Sequence, residues 1–190
     1  MKQNFNLRVE IKKLLSKNLF YLKHNRGLKR IKYEENYHGV VKDPDGKIRN
    51  LTLERNYKIK QLKYILDYLK KKSPGKILDI GCGHGWMLSC LDHRWKKYGL
   101  EISKFACKNA SKYCEVFNGK IENYKEKNFD VITALHVIEH HPKPEILIMK
   151  IYKKLKKNGV FILETPDFDS AAARRFGNKF RLLKDKTHIS

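Results

Sequence analysis

Three glycines at alternate positions, Gly81, Gly83 and Gly85, stand between the apolar run that ends Leu78-Asp79-Ile80 and the run that starts at Trp86. Glycine at such a point lets the chain turn sharply and brings bare backbone amides against a ligand. Twenty positions after Gly81, Glu101 closes the next apolar run, where a carboxylate can accept hydrogen bonds from both hydroxyls of a ribose. Glycines alone would mark only a turn. A glycine-rich turn after one strand, with an acid closing the next, marks a nucleoside site. The spacing then narrows the choice of nucleoside. Pyrophosphate-binding turns use G-x-G-x-x-G, whereas this loop reads G-x-G-x-G and carries Trp86 where the third small residue should stand, so the indole crowds a dinucleotide.

A second group of reactive side chains is His136-Val137-Ile138-Glu139-His140, which spells H-x-x-E-H. One class of zinc proteases uses that pattern, with two imidazoles one helical turn apart on the metal and Glu as the base. The geometry requires a continuous helix. Pro142 and Pro144 follow at once, and His141 is pushed out of helical geometry by the proline after it. No metal site is expected here. What remains is an imidazole at the carboxyl end of a strand with a carboxylate and a second imidazole close by, a set suited to proton transfer or, on the plainer alternative, to packing and capping the loop.

The elements that must position these residues follow an alternating pattern. Strands are expected at Lys76–Ile80, Lys97–Glu101, Glu115–Asn118, Phe129–Leu135 and Val160–Glu164, with helices at Trp86–Leu91, Ser103–Tyr113 and Glu145–Lys156. Five short apolar strands separated by helices make an α/β fold, a Rossmann-like doubly wound and mostly parallel sheet. Upstream, Leu62, Ile65, Leu66 and Leu69 give an amphipathic helix stopped by Ser73-Pro74-Gly75, and Asp43-Pro44-Asp45-Gly46 predicts a loop or small hairpin. Ile11, Leu14, Leu15, Leu19 and Leu22 predict a further, basic amphipathic helix, expected to pack on its own domain. Residues 1–60 are read as a basic helical extension and candidate substrate cap, with Tyr33, Tyr37 and His38 placed to cover a pocket, and residues 61–190 as the main domain.

Composition sets the outer bounds. With 190 residues, 41% of them hydrophobic, the chain can bury one substantial core but not two. The net charge is +22, and the first 75 residues hold 20 of the 42 basic side chains but only 7 of the 20 acidic ones. Such a charge invites RNA. Yet 33 of the 42 are lysine, and scattered lysine is commonly a solvated surface, whereas arginine serves bidentate recognition. Nucleic acid is therefore the lesser expectation. No apolar run is long enough to span a bilayer, no leader is apparent, and the four cysteines lack C-x-x-C spacing; a cytoplasmic protein with reduced thiols is expected.

From Lys76 to Pro166 the sequence resembles the class I S-adenosylmethionine-dependent methyltransferases. The loop Asp79–Gly85 is similar to their first motif, YGLEIS (Tyr98–Ser103) to the second, FDVITALHVIEHHPKP (Phe129–Pro144) to the fourth-strand motif, and LKKNGVFILETP (Leu155–Pro166) to the fifth. The style is closest to the branch that methylates small molecules and glycans, including quinone-biosynthesis O-methyltransferases. The resemblance implies a site for S-adenosylmethionine, with S-adenosylhomocysteine as product, built from Asp79, Gly81, Cys82, Gly83, Gly85, Glu101, Ile102, Lys120, Ile121 and Leu135. It also implies that His136, Glu139 and His140 face the transferring methyl group and help deprotonate an acceptor. The donor is already activated, so the protein has to align acceptor, methyl and sulfur, exclude water and remove a proton.

Two positions depart from the family pattern. Lys120 stands where an acid usually meets the adenine amino group, so adenine recognition shifts to the backbone around Lys120 and Ile121 or to Glu122. Asn158-Gly159 replaces the usual Pro-Gly turn. The resemblance further implies that the family's last strands are missing, leaving Val160–Leu163 as an open edge able to pair with a second copy. A small hydroxylated acceptor such as a sugar or glycan precursor is expected, with Arg174, Arg175 and Arg181 suited to a phosphorylated group. RNA methylation and a nucleoside-binding module without turnover stand as the alternatives.

Overall fold

The structure is a computed structural model that describes residues 38–42, 47–167 and 170–179. A short antiparallel pair opens it, β1 (Val40–Lys42) with β2 (Ile48–Asn50); the loop expected at Asp43–Gly46 lies outside the described residues. Two helices follow, α1 (Arg55–Gln61) and α2 (Lys63–Lys70). The expected 11–22 helix and the aromatics Tyr33 and Tyr37 lie outside the described residues, as does Arg181.

The main sheet has five parallel strands, β3 (Lys76–Ile80), β4 (Lys96–Glu101), β5 (Glu115–Asn118), β6 (Phe129–Leu135) and β7 (Leu155–Glu164), in the order β5-β4-β3-β6-β7. The Rossmann-like doubly wound fold is thus present. Its order reverses between β3 and β6, and ligands of open α/β sheets bind beyond the strand ends at such a switch point. Period-2 alternation divides the core between the two faces. Ile77 and Val131 pack with Ile65, Leu66, Leu69 and Leu88 on one side, while Leu78, Ile80 and Ile132 pack with Leu147 and Ile151 on the other. The helices responsible are α2 and α3 (Trp86–Ser89) on the first face and α5 (Pro144–Tyr152) on the second, with α4 (Lys104–Ala110) beside β5.

The first four strands fall within a residue of their expected places, but four elements differ. The helix expected over Ser103–Tyr113 spans Lys104–Ala110, with Ser103 as its N-cap. The helix expected over Trp86–Leu91 ends at Ser89, because Ser89 Oγ and Cys90 Sγ both turn back on the Trp86 carbonyl, at 2.7 and 3.4 Å. The helix expected to reach Lys156 ends at Tyr152, since Leu155 is captured by the sheet opposite Phe129. The last strand consequently starts at Leu155 instead of Val160. Its register with β6 slips between Phe129 and Val131, where Asn158 sits at φ 62 ahead of Gly159. Beyond Pro166 the described residues form α6 (Ala171–Phe176), capped by Ser170, and no strand; among them β7 pairs on one side only. No helix among the described residues is long and apolar enough to cross a membrane.

Candidate functional site

Gly81, Gly83, Glu101 and His136 all lie at the carboxyl ends of the parallel strands, and the loop after β3 is built around Glu101. That side chain is only 5% exposed. Its Oε2 accepts the Gly83 amide at 2.9 Å, and its Oε1 accepts the amides of Ile102 and Ser103 at 2.8 and 2.9 Å. The Gly81 and Cys82 amides close on the Leu100 carbonyl at 2.7 and 3.2 Å. The loop and the end of β4 are therefore clamped together by the chain's own hydrogen bonds.

The three glycines serve different ends, although all adopt positive φ. A Cβ on Gly81 would meet Val137 Cγ2 at 2.6 Å, and one on Gly85 would meet the Ala110 backbone at 3.0 Å, so both glycines admit close packing. A Cβ on Gly83 would meet nothing nearer than His38 Cε1 at 4.0 Å. Gly83 thus leaves open space directly beside the Glu101 carboxylate, a place where a ligand can approach bare backbone.

Asp79 lies deeper, paired in register with Gly99 and Thr133. It is 4% exposed and accepts a hydrogen bond from Thr133 Oγ1 at 2.7 Å. Burial pushes its carboxyl up to about 7, against the pull of Thr133 and with help from the Glu101 charge. Cys82 is buried beneath the loop, its thiol pushed well up by the contact with Cys114 and by burial, which makes it a packing group and no nucleophile. Ile102 is exposed with its amide on Glu101, and Leu135 is half-buried at the end of β6. Gly119 donates to the Glu101 carbonyl at 2.9 Å, which brings Lys120 and Ile121 to the same rim; the Lys120 side chain is exposed and that of Ile121 is buried in the core. Glu122 points elsewhere, onto Lys150 at 2.5 Å.

His136 sits directly after β6 at φ 56, in the left-handed region that residues other than glycine adopt uncommonly. Its amide donates to the Glu164 carbonyl at 2.8 Å, tying the turn to the end of β7. Nδ1 lies 3.4 Å from Glu139 Oε1, and Nε2 lies 3.0 Å from Glu164 Oε1. Pairing with Glu139 raises the imidazole above its usual value against desolvation, with Glu164 adding to the effect and Lys58 opposing it. Glu139 is buried, which works against its charge, yet His136 and neighbouring donors hold its carboxyl below the ordinary range. Ile138–His140 forms a single 3-10 turn, so the H-x-x-E-H residues do not share a helix. Among the described residues no group of three His, Cys, Asp or Glu side chains is arranged to hold a metal. His140 is half-buried on that turn and bears on Glu139 by its charge.

Three residues join these sites that sequence patterns did not single out for their roles. His38, read only as part of an aromatic cluster, packs against His84 at 5.6 Å between ring centroids, and its Nε2 lies 3.9 Å from Glu101 Oε1. Its carbonyl is 2.9 Å from His84 Nε2, which anchors the hairpin to the loop. Burial lowers the His38 imidazole, with Glu101 working the other way. Glu164 ends β7, and the hydroxyl of Tyr64, on α2, donates to its Oε2. No spacing signal links a tyrosine to a glutamate 100 positions away.

Comparison with known proteins accounts for this arrangement. A family model described as a methyltransferase domain matches residues 52–190. The chain is 30% identical over 139 residues to the ubiquinone biosynthesis O-methyltransferase of Pelagibacter ubique, covering 65% of this chain and 58% of that protein. It is 28% identical over 135 residues to the mitochondrial ubiquinone biosynthesis O-methyltransferase of Schizosaccharomyces pombe, covering 65% and 49%. The chain thus spans about half the length of these curated relatives. Among solved structures it is similar to an S-adenosylmethionine-dependent methyltransferase of Archaeoglobus fulgidus, with a TM-score of 0.59, 22% identity, and 72% and 62% of the two chains covered. It is likewise similar to one of Thermotoga maritima, with a TM-score of 0.52, 27% identity, and 66% and 62% covered. With the family's model spanning most of the sequence, and with the glycine loop and acid-closed second strand in place, the chain belongs to the class I S-adenosylmethionine-dependent methyltransferases.

Proposed function

We propose that the chain binds S-adenosylmethionine across the β3–α3 loop and transfers its methyl group to a hydroxyl of a small molecule, with His136 as the base. The observation that carries this reading is the open face of Gly83 beside the buried Glu101 carboxylate, at the same strand ends as His136. The residues present fit the cofactor. Glu101 has spent three acceptor positions on Gly83, Ile102 and Ser103, and the fourth, on Oε2, is left for a ribose hydroxyl. The loop amides and the rim at Lys120 and Ile121 supply the walls for the nucleoside. When bound, the sulfonium supplies an activated methyl group for in-line displacement.

The chain's own residues then have two tasks. One is alignment, done by a cradle that Glu101 holds rigid through its backbone hydrogen bonds. The other is removal of a proton. His136 in its neutral form takes the acceptor's proton at one ring nitrogen, and Glu139 stabilises the resulting imidazolium from the other side at 3.4 Å. An imidazole raised above its usual value by a carboxylate partner removes a phenolic proton, at about 10, far more readily than that of an aliphatic alcohol. A phenol-class hydroxyl therefore suits this site better than the sugar expected from sequence alone, in line with relatives named as ubiquinone biosynthesis O-methyltransferases.

The test is S-adenosylhomocysteine release with phenols and sugars offered side by side, for the natural chain and for His136→Ala. The variant should lose on the order of 10²-fold in turnover with cofactor affinity within about twofold of the natural chain. Undiminished turnover removes His136 from the chemistry, and methylation of sugars alone reverses the choice of acceptor.

A further inference from the structure

His136 is held at both ring nitrogens, and its two partners are unlike. Glu139 is 1% exposed; its Oε2 accepts from Thr165 Oγ1 at 3.2 Å, and its Oε1 faces His136 Nδ1 at 3.4 Å. A buried carboxylate oxygen in that position needs the imidazole N–H permanently. Glu164 is different. It is 30% exposed, stands at the end of a strand, and contacts Nε2 of a ring whose side chain is itself about half-exposed. Its other oxygen accepts from the hydroxyl of Tyr64, an exposed residue on α2. The remaining charge that bears on the ring from a neighbouring element is Lys58 on α1, which opposes protonation, while His140 acts on Glu139.

We infer that Glu164 and Tyr64 form a latch on His136 Nε2: Glu164 occupies that nitrogen in the resting enzyme, Tyr64 limits how strongly it does so, and the acceptor hydroxyl takes Glu164's place. This deepens the reading of His136 as the base and rests on it. The proton balance is simple. Nδ1 keeps its hydrogen on Glu139 throughout; Nε2 releases its proton to solvent as Glu164 withdraws, then receives the acceptor's proton as the methyl group transfers. Glu164 and Tyr64 never touch the reacting atoms. They are positioning residues that set the pH at which His136 becomes available.

Two substitutions act on the latch in opposite senses, which a merely structural role would not produce. Glu164→Gln removes the charge at 3.0 Å and should make His136 titrate lower, by about one pH unit or a tenfold change in its dissociation constant. Tyr64→Phe removes the hydrogen bond that tempers Glu164, so the carboxylate turns its full charge on Nε2 and His136 should titrate higher. The readout is the His136 ring titration followed by NMR in the full chain, assigned by its loss in His136→Ala, with the acidic limb of kcat/KM expected to move in the same directions. A His136 titration unchanged in Glu164→Gln, or lowered in Tyr64→Phe, overturns the latch. The two readings fail separately. Full activity in His136→Ala would end the role of His136 as base whatever the titrations show, whereas an inactive His136→Ala with immobile titrations would end the latch alone.

Discussion

Asp79 is the position where a single atom change should report most directly on the site's electrostatics. Its side chain is enclosed by β4 and β6 and bonded to Thr133, and its carboxyl sits at about 7 instead of 3.8. The raised value fixes the sign of the linkage. Below 3.8 the carboxyl is protonated in both folded and unfolded chains and contributes nothing. As pH rises towards 7 the unfolded chain ionises while the folded one keeps its proton, so stability falls; above 7 the loss is complete and constant. Roughly three pH units at 1.36 kcal/mol each set an upper limit of about 4 kcal/mol, and relaxation around the carboxylate reduces it. Asp79→Asn keeps the shape and can still accept from Thr133, but carries no charge. The variant should therefore match the natural chain near pH 4 and exceed it by about 2 to 3 kcal/mol at pH 8, in urea unfolding at each pH. Parallel stability curves for the two proteins between pH 4 and 8 would refute the reasoning, for they would mean that Asp79 ionises in the folded chain as freely as in water.

Glu101→Ala should weaken S-adenosylhomocysteine binding by about 1.5 to 3 kcal/mol, roughly ten- to a hundredfold in calorimetry, and should also lower the melting temperature because three amides lose a charged acceptor. Unchanged affinity would place the ribose elsewhere. Gly83→Val should leave a folded domain by circular dichroism yet abolish cofactor binding, since the new side chain enters open space at φ 51 instead of the core; binding within threefold of the natural chain would contradict that assignment. S-adenosylhomocysteine should raise the melting temperature and NAD should not, because Trp86 crowds the pyrophosphate turn, and the opposite pattern would overturn the choice of nucleoside. RNA should bind no more than weakly near physiological ionic strength; tight binding with a steep salt dependence would restore the RNA reading of the +22 charge.

What the sequence made legible was whatever depends on neighbours along the chain. The strands Lys76–Ile80 and Phe129–Leu135 were readable because burial on both faces favours apolar runs, and Gly81 and Gly85 because a side chain there would meet Val137 and Ala110. Helix ends were less readable. Ser89 and Cys90 stop α3 by bonding back to Trp86, and Leu155 leaves α5 for the sheet; both outcomes depend on competition between alternatives of similar local propensity. The partners of His136 were invisible for a different reason. Glu164 and Tyr64 read as an ordinary strand end and an exposed helix position, and only the order β3-β6-β7, with α2 packed on the same sheet, brings them to one imidazole.

This division has a physical consequence for how the site can change. The clamp between the glycine loop and Glu101 is assembled from two consecutive strand ends, and its hydrogen bonds run between residues fewer than twenty positions apart, from Gly83 to Glu101 and from Gly81 to Leu100. Short loops of this kind cost little to close and tolerate alteration elsewhere in the chain. The proton-handling set draws instead on α2, β6 and β7, with partners as far apart as Tyr64 and Glu164. Glu164 and Tyr64, on β7 and α2, make none of the hydrogen bonds that hold Glu101. Cofactor affinity and turnover should therefore respond to different sets of substitutions, and acceptor chemistry can drift while the cradle stays fixed. The irregular pairing of β7, with its slip after Phe129 and Asn158 at positive φ, lies on the side of the sheet where such adjustment is easiest, because β7 is held by β6 alone among the described strands.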